Sequence, residues 1–457
     1  MNSEFLYAAA QKVYPRTVNG VYAIWRWRFV LLTQIAFYGL PWLVWGQRQM
    51  ILFNLESRRF YVFGMVLYPQ DFIYLSGLLI ICALSLFLFT ALAGRLWCGF
   101  ACPQTVYSEI FMWVERTIEG DRSARIKLDN SNIYWIKILK KVLKHVIWIA
   151  ISFWTGFTFV AYFTPAKILF SELITFNFSS WEVFWIAFYG LATYGNAGFM
   201  REQVCKYMCP YARFQSAMFD KDTLLVTYDQ GRGEPRGGRA RGGLKTIALG
   251  DCVDCTLCVQ VCPTGIDIRN GLQYECIGCG ACIDVCNSVM SKMNYQNGLI
   301  RFSTENALAN LWSNSEVIRR LFRCRIIVYF LILLLIILIW VISLSSRIPF
   351  RVDVIRDRYS ISQLSDHQTI QNVYRLQLMN AIENYQTFSI AVSGVNGISI
   401  VSNSKFVIEP TQSKWIVLRL EMPELNASAG SHQITFEIYS EETGYLIKES
   451  SVFLVSK

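Results

Sequence analysis

Histidine is nearly missing from this chain of 457 residues, which has only His145, His367 and His432. A membrane haem held by paired histidines is therefore not expected, since only His145 lies near an apolar run. Charge is also scarce, at 17% of residues against 53% hydrophobic, the balance of a membrane protein. There is no phosphate-cradling G-x-x-x-x-G-K-[ST] loop, no G-x-S-x-G elbow and no H-E-x-x-H pair, so hydrolysis by those routes is excluded. No cysteine follows Cys324, so the last hundred or so residues are built without disulfides. What remains is a chain that handles electrons or metals.

Cysteine is what the chain has in quantity. Eight of its cysteines form two copies of C-x-x-C-x-x-C-x-x-x-C: Cys252, Cys255, Cys258 and Cys262, then Cys276, Cys279, Cys282 and Cys286. In that spacing three thiolates of one loop cap three corners of a 4Fe-4S cube, while the fourth crosses to the other cube. The expected quartets are thus Cys252, Cys255, Cys258, Cys286 and Cys276, Cys279, Cys282, Cys262. Neither a zinc site nor a disulfide framework needs two tandem four-cysteine runs with this crossover.

Apolar runs predict five spans, near Phe29–Trp45, Phe72–Ala93, Val146–Phe163, Phe184–Phe199 and Ile326–Leu344. Basic residues sit before the first span (Lys12, Arg16, Arg26, Arg28) and crowd the loop between the second and third, from Arg95 to Lys144. The next loop has Lys167 against Glu172 and Glu182. The positive-inside bias then puts the N terminus and the cluster segment in the cytoplasm and the C-terminal domain on the periplasmic side. A net charge of +10 is accounted for by orientation and attraction to the inner leaflet, and nucleic acid is not expected as a partner.

The predicted organisation is a helical membrane region over 1–220, a glycine- and arginine-rich linker over 221–245, a ferredoxin-like two-cluster domain over 246–300, a connector with the fifth span over 301–346, and an immunoglobulin-like β-sandwich over 347–457. The linker contains GRGEPRGGRARGG from Gly231 to Gly243, whose glycine spacing is not a dinucleotide fingerprint. Its clustered arginines also fit docking of an acidic surface, with a plain linker as the preferred reading. The sandwich is read from alternating segments at Val373–Met379, Phe388–Val392, Trp415–Met422, Gln433–Tyr439 and Ser451–Val455.

A second set of cysteines stands at span ends. Cys98 and Cys102 lie in CGFACPQ, and Cys205 and Cys209 in CKYMCPY. Each C-x-x-x-C-P pair places two thiols on one face of a helical turn, which the following proline is expected to close. The repetition implies a duplicated helical pair and a four-thiol site. Such a site favours Cu(I), zinc or an iron-sulfur centre. Met200, Met208, Cys82 and Cys324 are read as structural.

With these pairs, the GRGEPRG segment, the double motif and the sandwich in this order, the chain resembles the FixG/CcoG/RdxA family, accessory proteins of cbb3-type cytochrome c oxidase. Asn287 stands where a simple ferredoxin often has proline. The resemblance covers nearly the whole chain and implies an inner-membrane oxidoreductase with two 4Fe-4S clusters, assisting oxidase assembly by reducing Cu(II) to Cu(I). Copper or another metal would sit at Cys98, Cys102, Cys205 and Cys209 as the reactive site. Expected partners are the membrane, a cytoplasmic electron donor, copper ions, oxidase assembly factors or copper chaperones, and a second copy of the chain as a homodimer. Two alternatives stay open: an electron conduit between cytoplasmic donors and a membrane quinone or partner complex, and a redox-sensing assembly scaffold.

Overall fold

The computed structural model describes residues 12–132, 135–239, 249–310, 312–357, 363–365, 369–423 and 428–455. His367 and positions 240–243 of the glycine-arginine segment lie outside them. The chain forms two compact units, Met1–Leu43 with Leu75–Leu338 and Val44–Tyr74 with Ile339–Lys457.

Among the described residues, three helices are long and apolar enough to cross a membrane: Pro69–Ala93, Trp135–Val160 and Cys324–Ser345. They carry the second, third and fifth expected spans. The first expected span is a helix over Val21–Gly39 followed by a 3-10 turn at Leu40–Trp42, where Pro41 takes an N-terminal position. The fourth is α-helical over Ser180–Thr193, opened by a Ser179–Glu182 capping box, and then π-helical over Tyr194–Met200. Neither belongs to the long apolar set.

The first unit also holds the cysteine-rich segment. Strands Leu225–Tyr228 and Ile300–Ser303 pair antiparallel and bracket it. The expected linker over 221–245 is thus ordered in its described part. Asp229 caps the turn Gln230–Gly233 through its side chain, and Arg232 pairs with Asp251 at 2.7 Å and reaches the carbonyls of Gln296 and Asn297. Arg232 therefore serves an internal contact, which a glycine-rich composition does not announce. The cluster domain begins at the strand Leu225–Tyr228, ahead of the expected boundary at 246.

In the second unit two antiparallel sheets face each other. One orders Ser399–Ile400, Ser413–Pro423, Thr369–Asn380 and Phe350–Arg356, with Gln363–Ser365 against Thr369–Asn380; the other orders Lys405–Ile408, Gln386–Ser393, Gly430–Ser440 and Leu446–Val455. Alternate residues such as Leu376, Leu378, Leu418, Leu420, Phe436 and Ile438 fill the space between them and are fully buried.

Residues 44–74 belong to this unit and not, as expected from sequence, to the membrane region. Strands Ile51–Asn54, Arg59–Val62 and Met65–Leu67 form a small sheet whose Leu52, Tyr61, Val66 and Tyr68 bury against Met379 and Ala381. The Tyr68 hydroxyl donates to the Asn380 carbonyl at 2.9 Å. A single sheet layer needs a second layer to cover its apolar face, and the later domain supplies it.

Candidate metal centres

The two copies of the cysteine motif build two cavities. Cys252, Cys255, Cys258 and Cys286 line one, together with Leu257, Met290 and Ile300. Cys262, Cys276, Cys279 and Cys282 line the other, with Ile266, Ile268 and Ile277, and Cys258 at its edge. Each quartet draws its fourth thiol from the opposite copy.

The loops repeat in backbone as well as in sequence. Asp254 and Thr256 flank Cys255 at φ 50° and 57°; Gly278 and Gly280 flank Cys279 at φ 67° and 73°. Left-handed residues on both sides of the middle cysteine fold each loop into a concavity in which successive N–H groups turn toward bound negative charge. The second copy has glycine at both positions because neighbours crowd it: a Cβ on Gly278 would stand 3.2 Å from the Arg95 carbonyl oxygen, and one on Gly280 2.6 Å from the Tyr22 ring. Asn287 accepts a hydrogen bond from Gly298 N at 2.9 Å, a tie that proline there would forfeit.

Burial pushes these thiols up, to about 11 at Cys258 and about 12 at Cys276 and Cys286. Thiols so shifted stay protonated until a metal displaces the protons. Four-thiol apolar cavities with inward-turning amides fit 4Fe-4S clusters, and the quartets named above would hold them.

The two C-x-x-x-C-P pairs share one architecture. Cys98 rides the helical turn Leu96–Phe100, and Cys102 is extended ahead of the helix Pro103–Glu119. Cys205 rides the π-helical turn Val204–Met208, and Cys209 is extended ahead of the helix Pro210–Met218. Each proline takes the first position of a new helix, where its missing N–H costs nothing, so it opens the next element where closure of the preceding one was expected. All four cysteines are half-buried. Burial raises Cys205 to about 12, and nearby Cys102, Cys98 and Cys209 add to the shift. Cys98 is raised to about 11 by burial and by Cys102, opposed by a hydrogen bond to Gln215 Oε1 and by Arg95. The two pairs thus lie within electrostatic reach of one another.

The pairs abut the second cavity. Cys98 and Cys205 pack against a buried cluster of Val261, Ile277, Cys279, Ala281 and Val285. A Cβ on Gly99 would lie 2.8 Å from the Ile277 carbonyl oxygen and 2.9 Å from Cys279 Cα. Arg95 clamps the seam, donating to the carbonyls of Cys276 at 3.1 Å and Ala212 at 2.8 Å. Among the described residues, no group of three or more His, Cys, Asp or Glu is gathered around a single-ion site. Cys82 and Cys324 are exposed and line neither cavity, and Met200 and Met208 are also exposed.

Sequence reasoning missed the acidic ladder of the helix Pro103–Glu119. Glu109, Glu115 and Glu119 are each 3% exposed. Glu115 pairs with Arg201 at 2.9 Å, Arg125 at 3.2 Å and Lys144 at 3.4 Å; Glu119 pairs with Lys141 and Lys144 at 3.0 Å; Glu109 pairs with Arg116 at 2.9 Å and Arg26 at 3.4 Å. Arg26, Arg125 and Lys144, counted from sequence toward the positive-inside bias, are buried in these pairs. Their signal was present only as Glu109, Glu115 and Glu119 within a stretch of net basic charge.

Comparison with known proteins adds three matches along the chain. A 4Fe-4S dicluster domain matches residues 200–305, a 4Fe-4S binding domain matches 75–119, and the IG-like fold at the C-terminal of FixG matches 340–456. The nitrogen fixation protein FixG of Rhizobium meliloti is 38% identical over 422 residues, 85% of this chain and 80% of that protein. Protein RdxA of Cereibacter sphaeroides is 40% identical over 409 residues, 87% of this chain and 85% of that one. A crystal structure of a FixG-related protein from Vibrio parahaemolyticus aligns at 21% identity and a TM-score of 0.22, covering 24% of this chain and 97% of that one.

Proposed function

The chain belongs to the FixG/RdxA family of iron-sulfur membrane proteins, and on that footing we propose that it reduces Cu(II) to Cu(I) at Cys98, Cys102, Cys205 and Cys209 in support of cbb3-type oxidase assembly. The observation that carries the proposal is the seam at Gly99, where the four-thiol site touches the loop of Cys279 without an intervening side chain. Bound in the two cavities, 4Fe-4S clusters supply single electrons. Cu(II) is the substrate: soft thiols receive it, and a thiol set of this kind favours Cu(I), the form that thiolate carriers can pass on. In this reading the membrane helices leave the N terminus and the cluster region in the cytoplasm, where a donor protein supplies electrons, and leave the β-sandwich on the periplasmic side, where it meets assembly factors.

A second reading draws on the 4Fe-4S binding match over 75–119, which contains Cys98 and Cys102. Here the third quartet holds a further iron-sulfur centre, and the chain is an electron conduit.

One experiment separates the two. Anaerobically purified protein is analysed for iron, reduced with dithionite, freed of excess reductant and mixed with Cu(II) while electron paramagnetic resonance is followed. About eight irons per chain, two cubes' worth, with production of Cu(I) that Cys98→Ser with Cys102→Ser abolishes, supports copper reduction. About twelve irons, three cubes' worth, with indifference to Cu(II), supports the conduit.

A further inference from the structure

Beside the acidic ladder lies a cavity of about 560 Å³ that the copper reading does not use. One wall is a single face of the helix Trp135–Val160, with Lys141, Lys144, His145 and Trp148 at successive turns; the opposite wall is Phe199, Arg201 and Glu202 at the end of the π-helical segment. Its size suits one small organic molecule. Its position, on the lysine-bearing first half of an apolar helix, is that of a membrane interface.

Three features state what it would take. The lining ends in a packed aromatic cluster on which a flat ring can stack: Phe199 lies parallel to the His145 ring (13°, centroids 5.9 Å), and Trp148 stands edge-on to both, at 87° and 80°. Proton-carrying groups face the same space. Tyr194 Oη holds His145 Nδ1 at 2.9 Å, which leaves Nε2 without a hydrogen-bond partner among the described residues. Charge in the lining is already spent: Lys12 and Lys141 pair with Asp129, and Lys144 and Arg201 with Glu115. Each lining cation thus already has a carboxylate partner, which makes an anionic headgroup a poorer fit than a neutral ring. It also leads toward the thiols. Arg201 and Glu202 line both this cavity and a smaller one of about 40 Å³ that reaches Cys205. The π-helical turn that sets Phe199 and Arg201 in place is a local irregularity of the kind that marks functional segments.

We propose that this cavity binds the head group of a membrane quinone, with its ring against the exposed face of Phe199 and a carbonyl oxygen toward His145 Nε2. Reduction there converts both quinone C=O groups to C–OH by two electrons, drawn singly from the protein's reduced iron-sulfur centres, and two protons taken up from water, one of them passing through His145 Nε2. The binding claim does not rest on copper chemistry.

The test uses the full-length protein in lipid nanodiscs and a photoreactive azidoquinone, with labelled peptides mapped by mass spectrometry. Labelling is expected in the peptides bearing Lys141–Trp148 and Phe199–Gln203, suppressed by excess decyl-benzoquinone. Phe199→Ala, at an exposed ring, and His145→Ala are each expected to weaken it roughly tenfold, one lost contact's worth, with iron content and reoxidation by ferricyanide unchanged. Labelling elsewhere, equal labelling in both variants, or suppression by anionic phospholipid instead of quinone overturns the proposal. Cu(II) reoxidation, measured in parallel, reports on the copper reading separately.

Discussion

Asp284 Oδ2 accepts a hydrogen bond from the backbone N–H of Ala23 at 2.9 Å, across 261 residues of sequence. Its other oxygen accepts from Tyr22 N at 3.3 Å, so a side chain of the helix Ala281–Lys292 caps the helix Val21–Gly39. Gly20 leaves room for that carboxylate, because a Cβ there would fall 2.3 Å from Asp284 Cγ. Asp284→Ala is expected to cost about 1–2 kcal/mol, the usual worth of an N-cap, and to speed proteolysis between residues 12 and 20. Asp284→Asn, which keeps one acceptor, is expected to lose less. Limited trypsin digestion with a thermal melt checks both.

Gly99→Ala tests the seam between the thiol quartet and the Cys279 loop. The new methyl meets backbone at 2.8–2.9 Å, which cannot rotate away. A loss of about 1–3 kcal/mol follows from overpacking, with the paramagnetic signal of the second cubane site altered and that of the first retained. Low-temperature electron paramagnetic resonance on the reduced variant reads this out. An unchanged spectrum would mean the contact is only steric.

The acidic ladder predicts an acid limit. Burial pushes the Glu115 carboxyl up, but Arg201, Lys144 and Arg125 outweigh it and hold it below the ordinary carboxylate range. A carboxyl lowered in the folded state contributes stability that is complete above its unfolded value, about 4.3, and is lost as pH falls through the folded value. Thermal melts across pH 3 to 7 should therefore show a loss confined to the range below about pH 4.3 that is smaller in Glu115→Gln. At neutral pH that variant should be destabilised by about 3–5 kcal/mol, the cost of leaving buried cations unpaired.

In the second unit Asp71, whose side chain is 0% exposed, accepts from Arg347 and, at 2.8 Å, from Arg351. Asp71→Ala strands the Arg347 guanidinium and is expected to cost about 3–5 kcal/mol. Chemical denaturation followed through the tryptophans of the unit should reveal it, with iron content unaffected.

Periodicity and spacing made some of this legible and left the rest dark. The strand alternation from Val373 to Val455 located five sandwich strands, because a half-buried strand writes its faces into the sequence. It missed Phe350–Arg356, which starts shortly after the helix ending at Ser345, and the short strands Gln363–Ser365, Ser399–Ile400 and Lys405–Ile408. The cysteine runs carried the two cavities, since ligand spacing within a loop is local. Asp284 capping a helix 261 residues away, or Glu115 among three cations, has no local period to read. The small sheet at Ile51–Leu67 was hidden for the same reason: half of its core is written near Met379.

That split core orders events during synthesis. The small sheet is made early, yet Asn380, which accepts from Tyr68 across 312 residues, and the apolar surface beside it emerge only near the end. Until then Leu52, Tyr61 and Val66 have nothing to cover them, so a ribosome stalled before residue 379 leaves a sticky edge of the kind that chaperones bind.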